Sequence, residues 1–268
     1  MNAQPMLSTH QRSVGHASAR FAQRSGRAAL LDLRQQGSAK AIALAPSEIV
    51  FLNTSGGLTG GDRLDYQLSL GAGCRMTATT QTAERAYSST SGAARMNVDM
   101  HLGEGAHLDW LPQETILFDT AQLRRRSRIT LAENATCLMA ETVVLGRAAM
   151  GETVSALDFH DWRQISRGNA PLHLEALVLN TARLAAGAAG LDGARAFATV
   201  VMVAPNAADA LGPVRAILGD TQVRAAASAL QERLVIRLMA PDGWPLRRKL
   251  AEILTLLRRA PLPRVWQI

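Results

Sequence analysis

The sequence predicts a mainly β fold of stacked sheets, with two α-helices in the C-terminal third. Three observations carry this expectation: residues of alternating polarity recur along the first half, glycine turns repeat at a near-constant spacing, and helical periodicity appears only late. Near the N-terminus Ala17, Ala19 and Phe21 alternate with Ser18 and Arg20, as a strand requires. Leu64, Tyr66, Leu68 and Leu70 alternate with Asp65, Gln67 and Ser69, and Gly71-Ala72-Gly73 then turns the chain into Cys74, Met76 and Ala78. The pattern returns as Ala94 to Leu102, a turn at Gly103-Glu104-Gly105, and Ala106, Leu108 and Trp110. These read as half-buried strands joined by tight glycine turns. Leu70, Leu102 and Leu131 open three similar turns spaced 32 and 29 residues apart, and each is followed by a similar patch: Gln81-Thr82, Gln113-Glu114-Thr115 and Glu141-Thr142-Val143. Such a repeat suggests layers that each bury a face completed by the next, although an ordinary β-sandwich also accommodates it.

The C-terminal third reads differently. Residues 206–218 have helical character that Gly212-Pro213 is expected to break or kink. Arg233 to Met239 reads as a strand. Pro245 sits where a helix starts, and Leu246, Leu250, Ile253, Leu254 and Leu257 follow at helical spacing. Arg258 and Arg259 complement the dipole of its last turn, and Pro261 and Pro263 stop it. No linker or composition break divides the 268 residues, so a single domain over 1–268 is expected.

Composition narrows the function classes. Hydrophobic residues at 47% and charged residues at 19% suit a globular chain, and no apolar run approaches the ~20 residues of a membrane span. A net charge of +7 points to nucleic acid or an anionic membrane, yet the basic residues are 27 arginines to two lysines, Lys40 and Lys249. That bias, with abundant alanine, reflects a GC-rich genome, so an Arg-rich nucleic-acid binder is kept only as an alternative. Cys74 and Cys137 offer neither a disulfide framework nor zinc-ligand spacing and read as small buried hydrophobes in a reducing compartment. Arg12, Arg20, Arg24 and Arg27 among serines resemble an organelle transit peptide. The strand alternation there and the absence of an apolar signal core favour the cytoplasm instead.

Several motifs could carry chemistry. Ser55-Gly56-Gly57-Leu58-Thr59-Gly60-Gly61-Asp62 lacks the ending of a P-loop and runs into a strand, which fits a tight crossing; Asp62 either satisfies its amides or offers a free carboxylate. The segment Trp110 to Asp119 sets Glu114 and Asp119 among large apolar residues, where carboxylates need partners or a function. A β-solenoid carbohydrate-active enzyme using paired carboxylates is a second alternative, disfavoured by only 4% aromatic residues. If Gly103–Gly105 forms a hairpin centred on Glu104, His101 faces His107 and Asp99 faces Asp109, with opposed Cβ atoms ~5 Å apart. Such a cluster would take nickel or zinc; otherwise it is a solvated polar face. Arg124-Arg125-Arg126 reads as a solvated strand face or an acidic-partner contact.

Together, Ser55 to Asp62, Trp110-Leu-Pro-Gln-Glu-Thr-Ile-Leu117, the stretch ETVVLGRAAMGE over Glu141 to Glu152, and the closing Pro263-Arg264-Val265-Trp266 resemble the urease accessory protein UreD (UreH) family. The matched core runs from about residue 50 to 155. Two stretches depart from the family pattern: Asn53-Thr54-Ser55 replaces a usual proline pair, and Arg85-Ala86-Tyr87-Ser88 stands where Lys and Tyr-Arg are more typical. The resemblance implies a non-enzymatic scaffold with a β-helix-like stack of sheets and a pair of helices. It further implies binding to the urease apoprotein and to UreF, with the GTPase UreG joining through UreF. It implies no tightly bound cofactor, only a nickel ion in transit. On this reading Asp62, Glu114, Glu141 and Glu175 line or flank the nickel route, with Glu175 outside the family motifs.

Overall fold

A computed structural model describes residues 12–267. The chain begins with β1 (Val14–Arg24), β2 (Arg27–Gly37), β3 (Ala39–Ala45) and β4 (Glu48–Asn53), which form two antiparallel pairs. β5 (Arg63–Leu70), β6 (Arg75–Thr80), β7 (Glu84–Ala86), β8 (Ala94–Leu102), β9 (His107–Leu111), β10 (Thr115–Leu117), β11 (Gln122–Leu131) and β12 (Thr136–Leu145) follow. The remainder is β13 (Asp158–Arg167), β14 (Ala170–Asn180), the single turn α1 (Thr181–Leu184), β15 (Ala196–Val203), α2 (Leu211–Ile217), β16 (Arg224–Leu230), β17 (Arg233–Ala240) and α3 (Gly243–Arg258).

The strands lie in two facing sheets, and the chain alternates between them. Sheet one has the order β14-β13-β11-β8-β5-β1-β2; sheet two runs β16-β17-β15-β12-β9-β6-β4-β3, with the short β7 and β10 beside the far end of β12. β5, β8, β11 and β13 are parallel neighbours in sheet one, as are β4, β6, β9 and β12 in sheet two. The predicted strands are therefore present, and the stacked, β-helix-like reading is the correct one. The sequence repeat is the stack itself: Leu70 is in register with Leu102 and Leu102 with Leu131.

The glycine turns are where expectation and structure part. They do not close hairpins. Each is a corner that carries the chain from sheet one to sheet two, and successive corners hydrogen-bond to each other through Gly103 N to Leu70 O (2.7 Å) and Ala132 N to Leu102 O (2.8 Å). A Cβ on Gly103 would stand 2.8 Å from Ala72 N, so close stacking of corners is what demands glycine there.

Alternation on each strand builds the core between the sheets from Leu64, Tyr66, Leu68, Met100, Leu108 and Trp110. A second core covers the outer face of sheet two, where Leu138, Val200 and Ile236 meet Leu246, Leu250, Ile253 and Leu254 of α3. β12 and β15 are covered on both faces, which is why the strongly apolar stretch Phe197 to Val203 shows no alternation. α3 opens on Asp242, whose carboxylate accepts from Trp244 N at 3.2 Å, and ends at Arg259 in the left-handed region (φ 53°). The helical stretch expected over 206–218 is divided just before Gly212-Pro213 into a 3₁₀ turn (Ala207–Ala210) and α2, and Pro213 does not break α2 itself. It lies in the first turn, where its missing N–H has no intrahelical partner to lose. Among the described residues no helix is long and apolar enough to cross a membrane.

Candidate functional site in the interior of the coil

Charge enters the space between the sheets by strand parity. On β11 the residues that share a face with Leu123, Ile129 and Leu131 are Arg125 and Ser127, and on β13 those sharing a face with Phe159 and Ile165 are Asp161 and Arg163. Arg125 Nε and Nη2 clamp Asp161 at 2.9 and 2.6 Å, Nη2 lies 2.9 Å from Glu141 Oε2, and Nη1 donates to Thr115 Oγ1 at 2.9 Å. Glu141 Oε1 accepts from Ser127 Oγ (2.7 Å) and Trp110 Nε1 (3.3 Å). On its other side Asp161 receives Arg163 Nε at 2.8 Å, and Arg163 Nη1 continues to Glu175 Oε2 at 3.1 Å. Glu175 Oε1 accepts from Arg237 Nη2 (3.1 Å), whose side chain is 59% exposed and ends the chain of contacts at the surface.

Three guanidiniums thus meet three carboxylates, and the network is neutral overall. Arg125, Glu141, Asp161 and Arg163 are all at most 5% exposed. Burial alone would raise the pKa of Asp161, but Arg125 and Arg163 outweigh it and hold the carboxyl at about 2. Glu175 is likewise pushed up by burial and brought down to about 2 by His173, Arg163 and Arg237. A second interior group is different. Glu84 is bonded by Asn53 Nδ2 at 3.2 and 3.4 Å and makes no ion pair within 4 Å among the described residues. Burial pushes its pKa up to about 7 against the Asn53 hydrogen bond and Arg85. It borders a cavity of about 20 Å³ with Asn53 and Tyr66, and another of about 10 Å³ with Thr115, Arg125 and Glu141; each is near the size of a single water.

The other sequence candidates fall elsewhere. Asp62 accepts from Ser13 N (2.7 Å) and Thr59 N (2.8 Å), so it holds the glycine-rich turn against the start of β1. In that turn a Cβ on Gly60 would meet Ser89 Oγ at 2.0 Å and Gly92 O at 2.4 Å. Gly60→Ala is expected to lower stability by about 1–3 kcal/mol in urea unfolding; an unchanged midpoint would refute the close-approach account. Glu114 lies outside the coil, 3.2 Å from Arg247 of α3, which stacks on Trp266. Asp119 accepts from Ser155 N (2.7 Å) and Ala156 N (2.9 Å), and these amides keep its carboxyl below the usual range.

The His101/His107/Asp99/Asp109 cluster does not form, because its hairpin does not exist. His101 neighbours Ser69 and Thr130 in sheet one; His107 neighbours Arg75 and Thr136 in sheet two. Asp99 pairs with Arg128, and Asp109 with His107 and Arg258. Among the described residues no group of three or more His, Cys, Asp or Glu side chains is arranged to hold a metal ion. The arginine triplet also needs correction. Arg124 and Arg126 pack at the surface against Asp158 and Trp162, but Arg125 is the centre of the buried network. Its parity with Leu123 and Ile129 was the available signal.

Fold and interior together define an architectural class: parallel coils stacked into two facing sheets that enclose paired charges. Glu141, Asp161 and Glu175 each face an arginine, so a glycosidase-like carboxylate pair is not formed by them. The chain matches the family model of the UreD urease accessory protein over residues 13–267. It is 56% identical over 263 residues to the urease accessory protein UreD of Cereibacter sphaeroides (strain ATCC 17025), with 96% of each chain covered. It is also 48% identical to that of Paracoccus denitrificans (96% and 93% covered) and 43% identical to that of Rhizobium etli (95% and 94%). The chain belongs to the UreD family of urease accessory proteins.

Proposed function

We propose that this chain is a non-enzymatic maturation scaffold of the cytoplasm. It binds the urease apoprotein and UreF, engages UreG through UreF, and helps nickel reach the urease active site. The family match over residues 13–267 is the observation that carries this reading. The interior supplies a physical reason for transit rather than storage. A cation entering beside Glu141 or Glu175 has to compete with Arg125, Arg163 and Arg237 for the same oxygens, which keeps any site weak, as passage requires. Glu141 and Glu175 line the route on this account, while Asp62 and Glu114 flank it.

The test is complementation of a urease operon lacking its UreD gene, with nickel measured per purified urease active site. Wild-type chain is expected to restore nickel. The Glu141→Gln/Glu175→Gln double variant, soluble and still bound to UreF, is expected to restore it several-fold less. Full loading by a variant neutralised at Asp62, Glu114, Glu141 and Glu175 together would remove the route while leaving the scaffold in place. Nickel-free urease with soluble wild-type chain and cognate UreF and UreG would remove the scaffold itself.

A further inference from the structure

On the outer face of sheet two, remote in function from the interior network, a cleft of about 400 Å³ opens between the start of β9 and β12 and the end of α3. That volume lies within the range of small-ligand sites. Its lining is mixed in chemistry, combining apolar Leu138, Met202 and Leu257 with Arg75, His107, Asp109, Arg258 and Arg259.

Most of this charge is already committed. Arg258 Nε donates to Asp109 Oδ2 at 2.8 Å and its Nη2 donates to Thr77 Oγ1 at 3.0 Å, while Nη1 meets the carbonyl of Pro261. His107 uses both ring nitrogens, with Nε2 3.0 Å from Asp109 Oδ1 and Nδ1 2.7 Å from Thr136 Oγ1. Asp109 is therefore compensated and its carboxyl kept ionised: burial opposes the charge, and the His107 and Arg258 contacts overcome it. The tie between Arg258 and Asp109 also fixes the end of α3 against β9, so this part of the lining is preformed rather than assembled on binding.

Arg75 and Arg259 remain. Neither makes an ion pair or a side-chain hydrogen bond among the described residues, and both are exposed at the cleft. Asp209 is the one lining acid in the same condition. With the Arg258–Asp109 pair cancelling, Arg75 and Arg259 against Asp209 leave the cleft one positive charge in excess.

We propose that this cleft binds a small organic monocarboxylate, its head group held by Arg75 and Arg259 and its apolar body against Leu138, Met202 and Leu257. One negative charge cancels the excess, and the planar guanidinium fork is the side chain best matched to a carboxylate. The apolar lining rejects a fully hydrophilic anion by giving it nothing to cover. The assignment does not depend on the maturation role and concerns a different face of sheet two.

Isothermal titration of the full-length protein with 4-phenylbutyrate, and with the neutral 4-phenylbutyramide as control, tests it. Saturable one-to-one binding at millimolar concentration or tighter is expected for the carboxylate, and at least about tenfold weaker binding for the amide. Arg75→Gln/Arg259→Gln, whose wild-type side chains make no ion pair or side-chain hydrogen bond among the described residues, is expected to lose about tenfold for the carboxylate and nothing for the amide. A Leu257→Ala variant, checked for folding by circular dichroism, is expected to weaken both ligands. Equal binding of acid and amide, carboxylate affinity unchanged in the arginine double variant, or no saturable binding would each overturn the proposal.

Discussion

Asp161→Ala is expected to destabilise the protein by about 3–5 kcal/mol, because it leaves two buried guanidiniums without their shared partner. Arg125 and Arg163 both spend their closest hydrogen bonds on this one carboxylate, and neither side chain is more than 4% exposed. Asp161→Asn keeps an acceptor but not the charge, so it should fall between alanine and wild type. Arg128→Ala is the control: Arg128 is 44% exposed in its pair with Asp99, and a surface pair contributes at most about 1 kcal/mol. Urea unfolding of the three variants provides the comparison, with unchanged slope as evidence that the midpoint reports stability. An Asp161→Ala protein within about 1 kcal/mol of wild type would show that solvent reaches the guanidiniums. The same pairs set the acid limit. Asp161 and Glu175, with carboxyls held at about 2, stabilise the fold at neutral pH, and that contribution is lost as pH falls from their ordinary values toward 2.

Glu84→Gln should have its effect as pH rises from mildly acidic to neutral, where it stabilises the protein. The carboxyl of Glu84 is raised from 4.5 to about 7, so between these values the folded protein keeps a proton that the unfolded chain has released. Stability therefore falls as pH rises through that window, by up to about 3 kcal/mol. Glutamine imitates the protonated acid and removes the dependence. The variant should match wild type near pH 4.5 and exceed it by about 2–3 kcal/mol above pH 7. Unfolding midpoints measured across this range decide the point, and a difference that does not vary with pH would mean that Glu84 ionises as an exposed side chain does.

How far the sequence could be read follows from what alternation encodes. Period two states which side chains of a strand face inward; it does not state which strand lies alongside. Leu64 to Leu70 and Ala94 to Leu102 were therefore legible as strands, while Gly103-Glu104-Gly105 was equally compatible with a hairpin and with a corner. The repeat of Leu70, Leu102 and Leu131 held the answer, since residues in register across parallel coils recur at the coil length. Following it would have placed His101 and His107 in different sheets. Charged residues hid the interior for a related reason. Arg125, Asp161 and Arg163 break the apolar face of their strands, and a polar residue at an inward position looks like noise until its partner is known. Those partners lie 36 and 16 residues from Arg125 along the chain, at Asp161 and Glu141, a distance set by coil stacking and not by local spacing.

The two thiols turn the stacked architecture into its own timer. Cys137 is buried in β12 between β9 and β15, and burial pushes its pKa up to about 12, so almost no thiolate exists at neutral pH. Cys74, also buried, sits at the corner before β6. Alkylation at either sulfur then waits for its own coil to separate from its neighbours. Equal labelling rates at the two positions mean that the coils come apart as one unit; a faster Cys74 means that the stack frays from the N-terminal side, one layer at a time.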